Sequence, residues 1–187
     1  MSTATEIPPL VSKALSQCLR TGWLHTTRNE TGRLLATLAA SRTGTVAGVS
    51  TGSSTGVAWL RSGASEATRV VCVESDPRRA AQAREILFGS DIEVLDGDCE
   101  QLRCRAPFSL LYMNRATAQV LSRDLAHELV ETGGLVLIDD LEEDPFRDNV
   151  PGVHVDPLLE GWLTDERFTS TESQLAPDLT VMIATRT

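Results

Sequence analysis

Residues 48–60 read GVSTGSSTGVAWL. Gly48, Gly52 and Gly56 fall four residues apart, with only Ser, Thr and one Val between them. The stretch is too small and polar to be core and too brief to be a linker. An apolar run, TVAGV, precedes it, and VAWLRS after it suits a helix starting at about Thr55. Glycine between a strand and a helix lets the chain turn tightly and lets a ligand approach the backbone. The helix start then offers N–H groups that have no partner within the helix. Gly48 reads as a strand residue where a small side chain permits close packing, and Gly52 and Gly56 bracket the ligand loop.

The same strand–helix alternation continues outward. RVVCVE is a strand, and DPRRAAQAREILFG is a helix with Asp76 as N-cap, Pro77 in its first position and Gly89 as its stop. DIEVL, FSLLYM and GLVLID are further strands, and ATAQVLSRDLAHELVET reads as one helix. A helical DPLLEGWL and two last strands, near FTSTESQ and TVMIAT, complete the chain. Ahead of the glycine stretch lie two helical patterns, from Pro9 to about Leu19 and from about Thr31, joined by a loop, GWLHTTRNE. Continuously apolar strands alternating with helices predict an α/β fold: a Rossmann-like, doubly wound, mostly parallel sheet with N-terminal helices. The chain is read as one domain over 1–187, with a helical lid region at 1–43 and the Rossmann-like core at 44–187.

In such folds ligands bind beyond the carboxyl ends of the strands. Gly52, Ser53, Ser54, Thr55 and Gly56 follow the first strand, and Glu74 and Ser75 the second. Asp98 and Cys99 follow the third, Asn114 and Arg115 the fourth, Asp139 and Asp140 the fifth. Glu74 lies 18 residues after Gly56, close to the spacing of an acid that accepts ribose hydroxyls. The loop has no G-x-G for a dinucleotide and no lysine for a P-loop, so an adenosine ligand without phosphates fits best. A nicotinamide oxidoreductase is disfavoured by the missing G-x-G and by the absence of a Tyr/Lys pair.

The 187 residues are 41% hydrophobic and 23% charged, ordinary for a globular chain, and only 4% aromatic, so the core must be mainly aliphatic. A net charge of −9 leaves no basic stripe for nucleic acid. No stretch approaches the roughly 20 apolar residues of a membrane span. The N-terminus has neither the basic nor the apolar region of a signal peptide, so the expectation is a cytoplasmic protein. Of Cys18, Cys72, Cys99 and Cys104 none forms a CxxC pair, and Cys72 reads as a buried reduced thiol. Trp59 and Trp162 read as packing residues, and His127 as a satisfied helical histidine. His25 and His154 lie in loops, with no spacing that supports a dyad.

The succession VSTGSSTGVAWL, VVCVESDPRRAAQAREIL, IEVLDGD, FSLLYMN and GGLVLIDDL, over residues 30–187, resembles the small class I O-methyltransferases that use S-adenosylmethionine. It is most similar to their catechol and caffeoyl-coenzyme A group. The resemblance implies that residues 52–56 wrap the methionine part, Glu74 holds the ribose hydroxyls, and Asp98 meets the adenine amino group beside Cys99. It implies a small-molecule hydroxyl as methyl acceptor, a homodimer, Trp23 and its neighbours as cover for the site, and Asn114 and Asp139 as catalytic residues. It also implies a divalent cation, Mg2+ or Ca2+, on Asn114, Asp139 and Asp140, although the acidic DLEEDP stretch reads equally well as a solvated loop. Three positions depart from the family pattern. Ser50 replaces an acid before the first loop glycine, Asn114 replaces an Asp, and neither Arg115 nor Thr117 supplies the basic lysine. An alternative reading is therefore a binding or regulatory protein that has kept the fold and lost turnover.

Overall fold

The computed structural model describes residues 6–22, 26–49, 54–141 and 156–187. Two helices come first, α1 (Pro9–Thr21) and α2 (Asn29–Ala40). Alternation follows through β1 (Thr45–Val49), α3 (Thr55–Gly63), β2 (Arg69–Glu74), α4 (Pro77–Ile86) and β3 (Ile92–Asp96). A 3-10 helix (Cys99–Cys104) leads into β4 (Phe108–Asn114), α5 (Arg115–Ala118), α6 (Arg123–Leu129) and β5 (Val130–Leu141). The chain ends with α7 (Pro157–Leu163), β6 (Phe168–Ala176) and β7 (Leu179–Arg186).

The seven strands form one sheet in the order β3-β2-β1-β4-β5-β7-β6. β1 to β5 pair in parallel, while β7 runs antiparallel to both β5 and β6. The expected Rossmann-like, doubly wound, mostly parallel sheet is therefore present. This strand order with its single reversed strand is the class I methyltransferase fold. Strand order reverses at β1, whose neighbours are β2 on one side and β4 on the other. A crevice opens there beyond the strand ends, where such folds bind ligands.

Burial explains why these runs became strands. Every residue of β1 is buried, as is every residue of β4 up to Met113. A sheet covered on both faces requires that pattern. One core lies between the sheet and α5, α6 and α7, with Phe108, Leu111, Met113 and Trp162 in it. The other lies under α1, α2 and α3, around Val46, Leu35, Leu60 and Tyr112. Two close approaches set the second layer. A β-carbon on Gly32 would meet the Trp59 indole at 2.2 Å, and one on Gly63 would meet the Ala36 carbonyl oxygen at 1.9 Å. Helices α2 and α3 can pack this closely only because both positions lack a side chain.

Local signals hold where they are chemical. Asp76 caps α4, its carboxylate accepting from the Arg78 and Arg79 N–H groups, with Pro77 in the first turn as predicted. The single helix predicted over 116–132 is instead two short helices followed by the start of β5. Two caps break it: Asn114 Oδ1 accepts from Thr117 N–H to open α5, and Ser122 Oγ accepts from Leu125 N–H to open α6. Periodicity continued across the break because Leu121, like its helical neighbours, is buried. Among the described residues no helix is long and apolar enough to cross a membrane.

Candidate active site

The carboxyl ends of β1 to β5 surround a cavity of about 490 Å³. Its lining includes Val49 from β1, Val73 and Ser75 at β2, and Gly97, Asp98 and Cys99 after β3. Asn114, Thr117, Val120 and Leu121 come from the β4 side, Asp140 from β5 and Arg79 from α4. The fold thus brings together five of the residues singled out in the sequence: Ser75, Asp98, Cys99, Asn114 and Asp140. The wall mixes apolar surface with a few polar groups, as small-molecule pockets do.

Glu74 ends β2, is 5% exposed, and is not among the lining residues. Its Oε1 accepts from the Asp76 N–H at 3.2 Å, which holds the carboxylate at the mouth of the β2–α4 turn. Asp98 follows Gly97, whose φ of +133° suits glycine, and its side chain accepts from the Glu100 N–H at 3.1 Å. That bond caps the 3-10 helix and fixes where the carboxylate sits. Cys99 is half-buried, and burial with the neighbouring Asp98 charge pushes its thiol above the ordinary range.

Of the glycine loop, Ser54, Thr55 and Gly56 are described; Gly52 and Ser53 lie outside the described residues, with Ser50, Trp23, His25 and His154. Ser54 caps α3 in a left-handed conformation (φ +56°). Thr55 and Gly56 are buried, and neither lines the cavity. A β-carbon on Gly56 would lie 2.2 Å from the Tyr112 ring and 3.0 Å from Thr27 Oγ1. Gly48 behaves as expected of a packing glycine, since a β-carbon there would meet Val57 at 2.5 Å. Gly56, expected to meet the ligand, owes its lack of a side chain to the same kind of constraint.

Asp139 points inward. It is 4% exposed, and its Oδ1 accepts from Thr31 Oγ1 at 2.9 Å and from the Asp140 N–H at 2.6 Å. Its Oδ2 accepts from the Tyr112 hydroxyl at 3.2 Å. Tyr112 in turn bonds Thr27 Oγ1 at 3.0 Å, and the Thr27 N–H donates to Thr55 Oγ1 at 2.9 Å. Burial raises the Asp139 carboxyl above the usual carboxylate range, and these donors oppose the rise. Tyr112 is pushed well above the ordinary phenol range by burial and by the Asp139 charge. Asp140 alternates to the outside of the strand end, at φ +63°.

Among the described residues, Asn114, Asp139 and Asp140 do not gather into a ligand set for a divalent cation. Asn114 Oδ1 is occupied in capping α5, and both Asp139 oxygens face hydrogen-bond donors inside the fold. Of the two aspartates at this strand end, Asp140 lines the cavity and Asp139 does not. Among the described residues no cluster of three or more His, Cys, Asp or Glu side chains could hold a metal. Hard cations need several converging oxygens, and one carboxylate does not supply them.

Trp59 and Trp162 are buried packing residues, and the His127 ring stands edge-on to Phe168 at 5.8 Å, away from the cavity. The inward network was missed in the sequence, although Tyr112 carried a signal. A tyrosine inside FSLLYM must find a partner for its hydroxyl once buried. Thr27 and Thr31 gave none.

No protein-family model and no curated protein matches the sequence. Solved structures share the fold along nearly the whole chain. Cofactor-bound Rv0187 from MTB superposes with a TM-score of 0.80 at 20% identity, covering 99% of this chain and 93% of its own. The O-methyltransferase from Bacillus cereus, in complex with S-adenosylhomocysteine, gives 0.78 at 17% identity, with 98% and 94% covered. TomG from Streptomyces achromogenes, an O-methyltransferase of tomaymycin synthesis in complex with S-adenosylmethionine, gives 0.77 at 17% identity, with 98% and 92% covered.

Proposed function

We propose that the protein is an S-adenosylmethionine-dependent O-methyltransferase acting on a small hydroxylated molecule. The observation that carries this reading is the cavity at the β1 switch point, lined by Gly97, Asp98 and Cys99 and by Ser75, which follows the buried Glu74 at the end of β2. It lies in a fold shared with proteins solved with S-adenosylmethionine or its product. When bound, S-adenosylmethionine supplies an electrophilic sulfonium methyl group.

The chain's own residues bind and orient. Asp98, held by its cap bond, offers a carboxylate to an adenine amino group. Glu74 offers its carboxylate to ribose hydroxyls. Val73 and Leu121, both buried, give the flat ring apolar walls, with Val120 at the exposed edge. Asp140 is the exposed carboxylate on the β5 side of the cavity, placed to accept a hydrogen bond from an acceptor hydroxyl. Asn114 and Asp139 fix local structure instead of exchanging protons. Catalysis then rests mainly on proximity and orientation, which can supply about 7–11 kcal/mol when reacting groups are well aligned.

The test is a calorimetric titration with S-adenosylhomocysteine, followed by methyl-transfer assays over catechols and other phenols. Binding with micromolar affinity and product formation is the expected outcome. Binding without transfer to any acceptor would favour the binding-module reading, and no heat at all would remove both.

A further inference from the structure

At the acidic end of β5 the side chain of Asp139 turns into the protein, and what it meets there is a continuous polar chain. Thr31, in the first turn of α2, donates to one oxygen, and Tyr112 of β4 donates to the other. With the Tyr112 proton committed to Asp139, the Tyr112 oxygen accepts from Thr27. The Thr27 backbone N–H then reaches Thr55 in the first turn of α3. All five residues are buried, with at most 7% exposure. A second tie lies at the same end of α2. Arg28, which precedes the helix, pairs with Asp178 in the β6–β7 turn at 2.9 Å and lies 3.7 Å from Glu30.

We propose that Asp139 anchors a buried clasp, with Tyr112, Thr27 and Thr31, that locks the start of α2 and the segment before it onto the ends of β4 and β5. On the reading proposed above, the methyl-transfer site is then built without a divalent cation at that position. Thr27, Thr31 and Tyr112 are positioning residues, and none of them touches the cavity.

The hydrogen-bond inventory supports the exclusion. An ionised carboxylate offers about four lone-pair sites, and three are filled by Thr31, Asp140 N–H and Tyr112. A cation at 2.0–2.6 Å from these oxygens would have to compete for them with the Thr31 and Tyr112 hydroxyls and the Asp140 N–H. Thr31, fully buried, would lose its bond to the carboxylate, and a buried donor left without a partner costs about 1–3 kcal/mol. Asn114 Oδ1 already accepts from the Thr117 N–H at 2.9 Å, which leaves it one lone pair. The clasp also gives a reason for Gly56. The Tyr112 hydroxyl is tied to both Asp139 and Thr27, so moving the ring away from a larger residue at 56 would break those bonds.

The test combines two measurements on the full chain. Hydrogen exchange is followed by mass spectrometry over residues 26–40 in wild type, Tyr112→Phe and Thr31→Val. Thr31→Val deletes one buried hydrogen bond and Tyr112→Phe two, so exchange in that peptide should rise by about two- to tenfold or more, with peptides from β2 and α4 unchanged. Thermal melting is followed in chelator and then with added Mg2+, Mn2+ or Ca2+, for wild type and Asp139→Asn. The expected result is no cation-dependent shift in wild type. A cation-dependent rise that Asp139→Asn abolishes would overturn the proposal, and so would unchanged exchange over 26–40 in both hydroxyl variants. If Asp139→Asn does not fold, a cation-dependent rise in wild type alone overturns it. Neither measurement needs S-adenosylhomocysteine. A failed cofactor titration would therefore remove the functional reading and leave the clasp to stand or fall by itself.

Discussion

Gly56 lies directly against Tyr112: a β-carbon at position 56 would come within 2.2 Å of its ring and 3.0 Å of Thr27 Oγ1. In an exposed helix Gly→Ala gains up to about 1 kcal/mol from propensity. Here that gain meets an overpacking cost of about 1–3 kcal/mol, and the ring is tethered through its hydroxyl to Asp139 and Thr27. Gly56→Ala should therefore lower stability by up to about 3 kcal/mol, read as a fall in the urea midpoint at unchanged m-value. Pairing it with Tyr112→Leu should shrink the Gly56→Ala penalty in a double-mutant cycle. Additive penalties would show that Tyr112 is not what excludes a side chain at 56.

The four thiols give a map of the cavity. Cys104 is exposed, Cys99 half-buried in the cavity wall, and Cys18 and Cys72 buried. Burial next to Glu74 pushes the Cys72 thiol up to about 12, so almost none is thiolate at neutral pH. Alkylation of the native protein should label Cys104 first and Cys99 more slowly, with Cys18 and Cys72 labelled only on unfolding. S-adenosylhomocysteine should slow Cys99 selectively. Peptide mass mapping with and without the ligand checks this, and equal protection of Cys99 and Cys104 would place the ligand elsewhere.

Acid sensitivity should concentrate on Asp165. Its carboxylate accepts from Arg167 and Arg123 side chains and from the Arg167 N–H, and these hold it well below the usual carboxylate range. A depressed folded-state value means that the stability is fully present above the unfolded value, about 3.9. It is lost as pH falls through the lower folded value. The wild type should thus lose stability as pH drops below about 4, and Asp165→Asn should lose less over the same range while being less stable at pH 7. Denaturant midpoints at several acidic pH values measure the difference. Parallel curves for the two proteins would show that the ion pairs contribute nothing.

The architecture was legible because its signals are local and physical. Strands with apolar interiors, such as TVAGV and RVVCVE, announce a sheet buried on both faces, and Asp76–Pro77 announces a helix start. The acids at the strand ends were placed correctly because register follows from the fold. What could not be read was side-chain direction. Asp139 and Asp140 are adjacent in sequence and chemically identical, yet alternation along the strand sends one inward and the other to the cavity. Asn114 posed the same problem, since a cap and a ligand demand the same carbonyl oxygen. The break between α5 and α6 was hidden because Leu121 keeps the apolar period going across it.

Asp98 separates binding from structure. Its carboxylate caps the 3-10 helix through the Glu100 N–H and also faces the cavity. Asp98→Ala removes both functions, whereas Asp98→Asn keeps an oxygen for the cap and loses the charge. Hydrogen bonds to a charged group contribute about 1.5–3 kcal/mol, which corresponds to roughly ten- to hundredfold in affinity. Asp98→Asn should accordingly weaken S-adenosylhomocysteine binding by about tenfold or more with little change in melting temperature. Asp98→Ala should weaken binding at least as much and also lower stability by about 1 kcal/mol, the ordinary cost of losing a cap. Titration calorimetry beside thermal melting resolves the two. A melting change without an affinity change would make Asp98 a cap alone, and the adenine partner would then have to be sought among Cys99, Ser75 and the Gly97 backbone.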